Sequence, residues 1–217
     1  MAEAVIFDMD GVLVNSEPYH FEAEKQILAK MGITITDEEI QNFVGLAMDK
    51  MWTRLKESYS LEKSIEELVK EDTEFRVDFF RGIGKIKPID GVSDLISGIK
   101  SAGLKSAVAS SSHPDLISVL LKAAGLAESF PVYLSGFQVK RGKPEPDIFI
   151  ETARRLETGC GSCVVIEDSS NGVKAAKKAG MKCIGYSNPF SGNQDLSDAD
   201  IIINSFSEIK ISFLKGL

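Results

Sequence analysis

The sequence predicts an α/β protein: a Rossmann-like parallel-sheet core with an inserted all-helical cap domain. Three observations carry this reading. The chain opens on a short apolar run, Ala4-Val5-Ile6-Phe7, that ends in Asp8-Met9-Asp10-Gly11. From Val92 onward, apolar strand-like runs alternate with helical segments, a pattern that implies right-handed crossovers and a parallel sheet. Between the two, the stretch from Ser16 to Phe80 has helical character throughout. The expected division is residues 1–14 with 88–217 for the core and 15–87 for the cap.

The elements follow in order. Ala4 to Phe7 reads as a buried parallel strand, apolar without alternation. Ser16-Glu17-Pro18 marks a helix start, with proline in the first turn, and Gly32 ends that run. Thr36-Asp37-Glu38-Glu39 is a capped start. Met48, Met51, Trp52 and Leu55 form an apolar helical face, and a further helix is expected from Leu61 to Phe80. Gly82, Gly84, Pro88 and Gly91 mark the return linker. Helices over Val92–Ala102, Pro114–Ala124, Pro146–Leu156 and Gly172–Ala179 then separate strands at Lys105–Ala109, Val132–Leu134, Val164–Ile166 and Cys183–Gly185. A last strand, Ile201-Ile202-Ile203, precedes a C-terminal helix.

At 217 residues the chain is long enough to bury a sizeable core. Its net charge of −7 speaks against general nucleic-acid binding, and any site for an anionic substrate must supply its own cation or basic residue. No apolar run approaches the roughly 20 residues of a membrane span, and the first residues, interrupted by Asp8 and Asp10, are not expected to act as a signal peptide. The expectation is a cytoplasmic protein, without membrane or nucleic-acid partners, acting as a monomer. Cys160 and Cys163 form a C-x-x-C pair, but a zinc site needs about four ligands. The pairing reads as chance, with Cys163 and Cys183 as small core residues.

The chemistry collects at strand ends. Two carboxylates closing a buried strand are costly without partners, and ligands in open α/β sheets bind beyond the C-terminal strand ends. Read alone, Asp8 and Asp10 also suit a solvated turn or a helix cap. The neighbouring strand ends carry Ser110-Ser111-Ser112 and Glu167-Asp168-Ser169-Ser170, and the loop Arg141-Gly142-Lys143-Pro144-Glu145-Pro146-Asp147 carries a lysine. Asp8, Glu167 and Asp168 make a hard oxygen donor set suited to Mg²⁺. Ser110 and Ser111 are candidate phosphate-binding hydroxyls, and Lys143 can neutralise phosphoryl charge. A carboxylate nucleophile forming an aspartyl-phosphate is an available route, with Asp10 placed to protonate the leaving group and then to activate water.

With these four clusters in order, the chain resembles the haloacid dehalogenase superfamily of phosphotransferases over essentially its whole length. The likeness is to the branch with a helical cap after the first strand, that of β-phosphoglucomutase-like proteins and sugar-phosphate phosphatases. The resemblance implies Asp8 as nucleophile, Asp10 as general acid/base, and Ser110 and Lys143 as phosphate binders. It also implies Mg²⁺ held by Asp8, the Asp10 carbonyl and Asp168, with Glu167 nearby. Ser16 and His20 match the hydroxyl residue and histidine of the mutases, which makes His20 a candidate substrate residue.

Other positions depart from the mutase pattern. In the loop Gly45-Leu46-Ala47-Met48-Asp49, Met48 stands where an arginine is expected. An acid replaces a lysine around Lys70-Glu71-Asp72, and His113-Pro114 stand in place of Lys-Asn. Lys50, Arg54 and Arg76 read as solvated helix-face residues rather than as clamps for a second phosphate. The resulting expectation is a Mg²⁺-dependent phosphatase of a small phosphorylated metabolite, a sugar phosphate, with a sugar-phosphate mutase as the alternative.

Overall fold

The computed structural model describes residues 1–217 except Asn42, Val44, Gly45 and Ala47 and the side chains of Asp37 and Gln41. Gly45 and Ala47, in the loop compared above with the mutase pattern, therefore lie outside the described residues. The chain forms two compact units, Met1–Asn15 with Lys85–Leu217, and Ser16–Gly84.

The first unit holds a six-stranded parallel sheet: β1 (Ala4–Phe7), β2 (Lys105–Ser110), β3 (Val132–Ser135), β4 (Cys163–Glu167), β5 (Lys182–Tyr186) and β6 (Ile201–Ile203). Their order in space is β3-β2-β1-β4-β5-β6. This is the Rossmann-like order, which reverses between β1 and β4 and opens a crevice at their C-terminal ends. The crossover helices are α5 (Val92–Ser101), α6 (Pro114–Ala123), α7 (Asp147–Arg155) and α8 (Ser170–Lys178), and α9 (Ile211–Gly216) closes the chain. Ile6, Ala107, Ala109 and Val165 from the sheet pack with Phe149 of α7 and Val173 of α8 in one buried core. All four residues of β1 are buried, which explains a strand written without a polar face.

The second unit contains α1 (Glu17–Lys30), α2 (Asp37–Gln41), α3 (Met48–Tyr59) and α4 (Ile65–Ile83). Its core gathers Leu28, Ile40, Trp52, Leu55 and Leu68. Glu39 accepts from the Thr36 amide at 2.8 Å and Thr36 Oγ1 accepts from the Glu39 amide at 3.3 Å, so α2 opens on a reciprocal cap. The helix expected from Leu61 begins later, at Ile65. Ser64 and Glu67 form a capping box there, and the Lys56 ammonium takes the carbonyls of Leu61, Glu62 and Lys63 at 2.7, 3.2 and 2.5 Å.

Arg76 corrects the sequence reading more sharply. Lys50 and Arg54 are exposed, but the Arg76 side chain is 6% exposed. It donates to Asp72 at 2.7 Å and lies 3.5 Å from Glu24, both buried. Trp52 Nε1 donates to the other Asp72 oxygen at 3.0 Å. A single guanidinium thus serves carboxylates from α1 and α4. Burial pushes the Glu24 carboxyl up, only partly offset by Arg76.

Candidate functional site

The parallel register brings the sequence clusters to one edge. Phe7 lies level with Val108 on one side and Ile166 on the other. Asp8, the next residue, therefore falls beside Ala109 and Glu167, and its amide donates to Ile166 O at 2.9 Å. Asp10 follows in a tight turn in which the Gly11 amide donates to Val14 O at 2.8 Å. Gly11 has φ +81°, and a Cβ there would run into the Asp168 carboxylate, so the turn requires glycine on both counts.

Lys143 bridges the acids. Its Nζ donates to Asp8 Oδ1 at 2.5 Å, to Glu167 Oε1 at 2.6 Å and to Ala109 O at 3.0 Å. The side chain is 5% exposed. Burial lowers the Lys143 pKa, but Asp8 and Glu167 outweigh it and the net shift is upward, so the lysine is a fixed cation. Glu167 Oε2 accepts from the Asp168 and Ser169 amides at 3.0 and 2.9 Å and from Ser169 Oγ at 2.9 Å. Every oxygen of Glu167 is engaged, which makes it first an anchor for Lys143 and for the turn into α8.

Asp8, Glu167 and Asp168 each offer an oxygen within 4.8 Å of the others. Burial pushes Asp8 well above the usual carboxylate range, with Lys143 opposing and the neighbouring acids reinforcing. Burial and Glu167 likewise push Asp168 up to about 8. Among the described residues, Asp8 Oδ2 and Asp168 Oδ1 accept no hydrogen bond. A buried, acid-rich cluster with open oxygens on two members and one lysine to balance it has the donor chemistry of a Mg²⁺ site.

Ser110 Oγ and Ser112 Oγ donate to Asp10 Oδ2 at 3.3 and 2.9 Å. Ser135 Oγ supports them from β3 by donating to Ser112 O at 2.6 Å. Ser111, one of the two hydroxyls singled out above, is exposed. Sequence reasoning passed over Ser112; the run of three serines was its only signal. It also passed over Ser191, which donates to Asp168 Oδ2, and Asn188, which donates to Gly11 O at 2.8 Å. Both lie in the loop after β5, where Ser187-Asn188-Pro189-Phe190-Ser191-Gly192 reads as an ordinary turn.

His20 belongs to the helical unit. Its ring lies 4.9 Å from that of Phe80, and its Nδ1 lies 3.3 Å from Arg76. The cysteines are free thiols, and burial pushes the Cys163 thiol up, opposite to a redox-active thiol.

A Rossmann-like sheet whose crevice gathers two acid pairs, paired serines and a bridging lysine defines an enzyme built for group transfer. The chain belongs to the haloacid dehalogenase-like hydrolases, whose family model matches residues 5–186. It is 35% identical to the phosphorylated carbohydrates phosphatase of Thermotoga maritima over 84% of this chain and 83% of that protein. It is 33% identical to the bifunctional riboflavin kinase/FMN phosphatase of Arabidopsis thaliana over 97% of its own length, but spans only 55% of that protein. The crystal structure of CbbY from Rhodobacter sphaeroides in complex with phosphate superposes with a TM-score of 0.88 at 29% identity, covering 100% of both chains. Family and relatives together support a phosphomonoester hydrolase. Among the described residues no helix is long and apolar enough to cross a membrane.

Proposed function

We propose that this chain is a Mg²⁺-dependent phosphatase of a small phosphorylated metabolite, a sugar phosphate, working through an aspartyl-phosphate on Asp8. The observation that carries the reading is the Asp8 carboxylate at the mouth of the crevice. One of its oxygens is held by Lys143 and the other accepts no hydrogen bond from any described residue. Asp8 Oδ2 attacks phosphorus as the ester P–O bond breaks. Asp10 gives a proton to the departing oxygen, and the Ser110 and Ser112 hydroxyls hold its carboxyl group in place. Asp10 then takes a proton from water, the water oxygen attacks phosphorus, and phosphate leaves with Asp8 regenerated. Lys143 balances the charge on Asp8 and on the transferring group throughout.

Asp8 and Asp168, with Glu167 beside them and the Asp10 carbonyl, are the residues that would hold Mg²⁺. When bound, the ion supplies the positive charge that keeps these acids ionised and screens the phosphoryl oxygens. Arg76 supports a phosphatase over a mutase. A mutase needs cations for a second phosphate, and Arg76 is already paired with Asp72 and Glu24.

The test is phosphate release over a panel of sugar phosphates and nucleotides, with and without Mg²⁺. Release should require Mg²⁺ and fall to background in Asp8→Asn. A panel-wide absence of release, or undiminished release by Asp8→Asn, refutes the reading. Interconversion of sugar 1- and 6-phosphates stimulated by a bisphosphate, with little net release, would favour the mutase.

A further inference from the structure

The loop after β5 makes a set of side-chain contacts that the phosphatase reading leaves without a role. Asn188 and Ser191 are each 6% exposed, unusually deep for polar residues in a connecting loop. Asn188 Nδ2 donates to Gly11 O and to Asn15 Oδ1, both at 2.8 Å, and so holds the turn that follows Asp8 and Asp10. Its Oδ1 accepts from the Phe190 amide at 2.9 Å, and its carbonyl accepts from the Ser191 amide at 3.2 Å. Gln194 donates to Ser191 O and accepts from the Ser170 amide, both at 3.1 Å, which ties the same loop to the start of α8. Ser191 sits between these anchors, and its Oγ donates to Asp168 Oδ2. The missing Cβ of Gly11 makes the room, since a Cβ there would come within 2.7 Å of Ser191 Oγ.

We propose that Ser191, seated by Asn188 and Gln194, is a positioning residue for the divalent cation at Asp8 and Asp168. By occupying Asp168 Oδ2 it fixes the rotation of that carboxylate and leaves Oδ1, which accepts no hydrogen bond among the described residues, as the oxygen that would ligate the ion. The Asn188 bonds fix the opposite half of the same site, the turn after Asp8. The loop therefore sets the relation between ligands that come from β1 and β4. Groups that orient ligating carboxylates typically change metal affinity 10- to 100-fold when removed. The inference rests on the reading of Asp8 and Asp168 as Mg²⁺ ligands.

The experiment is titration calorimetry with Mg²⁺ alone on the full chain. The proteins compared are wild type, Ser191→Ala, Ser191→Thr, Ser191→Cys and Asp168→Asn. Ser191→Ala should weaken Mg²⁺ binding about 10- to 100-fold, and Ser191→Thr, which keeps the hydroxyl, should restore most of it. Phosphate release by Ser191→Ala should recover when Mg²⁺ is raised, because the Ser191 hydroxyl donates to Asp168 and not to Asp8 or Asp10. If Ser191→Ala does not fold, Ser191→Cys keeps the volume with a weaker donor and should still bind less tightly than wild type. Wild-type affinity in a folded Ala or Cys variant overturns the proposal while leaving the cation site intact. No Mg²⁺ binding by the wild type itself overturns the cation reading, and this inference with it.

Discussion

Gly172 offers a sharp test of how the site is built. It lies in the first turn of α8, where alanine would normally be worth about 1 kcal/mol more than glycine. Here a Cβ at that position would overlap Oε1, Oε2 and the carboxyl carbon of Glu167. Glu167 is fully buried and cannot swing into solvent without leaving its partners. Those partners are the Lys143 ammonium, the amides of Asp168 and Ser169, and the Ser169 hydroxyl. Breaking a buried charged pair from one side costs about 3–5 kcal/mol. Gly172→Ala should therefore destabilise the sheet unit by about 2–4 kcal/mol, the loss less the helix gain.

Denaturant unfolding followed by far-UV circular dichroism measures this. The sole tryptophan, Trp52, lies in the helical unit and would not report on it directly. In a Glu167→Ala background the obstruction is gone, and Gly172→Ala should become stabilising by up to about 1 kcal/mol. A single variant as stable as wild type, or the absence of that sign reversal, refutes the reasoning.

Two further predictions follow from the buried charges. Asp168 is pushed up to about 8 by burial and Glu167, so in the metal-free protein it retains a proton that the unfolded chain has lost. Its contribution to stability is then fully present below the ordinary aspartate range and is lost as pH rises to about 8. The melting temperature of the metal-free wild type relative to Asp168→Asn should fall over that window, and Mg²⁺ affinity should climb over it because binding displaces the proton. A pH-independent difference between the two proteins would contradict this. In the helical unit, Arg76→Met strands two buried carboxylates, Asp72 and Glu24, and should cost about 3–5 kcal/mol. The cost is readable by the fluorescence of Trp52, whose indole donates to Asp72; an unaltered transition would show that the network carries no net stability.

What the sequence determined by itself was local. An unbroken apolar run ending in two acids announced β1 and Asp8, because a buried parallel strand needs no polar face and a buried carboxylate needs a reason. Glycine and proline positions marked the linkers, and strand–helix alternation implied the parallel sheet. The acids, serine and lysine at four strand ends and loops were enough to suggest phosphoryl transfer.

The tertiary structure decided the rest, because it rests on neighbours distant in the chain. Strand order set the crevice between β1 and β4. Register and side-chain direction put the Ser112 hydroxyl on Asp10 and left Ser111 exposed, a choice that three consecutive serines cannot express. Arg76 looks solvated in sequence because a helical charge shows its spacing to Asp72, one turn back, but not Glu24 packed against it from another helix. Ser191 and Asn188 are ordinary loop residues until the fold carries them to Asp168 and Gly11. Gly11 and Gly172 read as a turn and a weak helix position, yet each is small because a carboxylate occupies the space where its side chain would be.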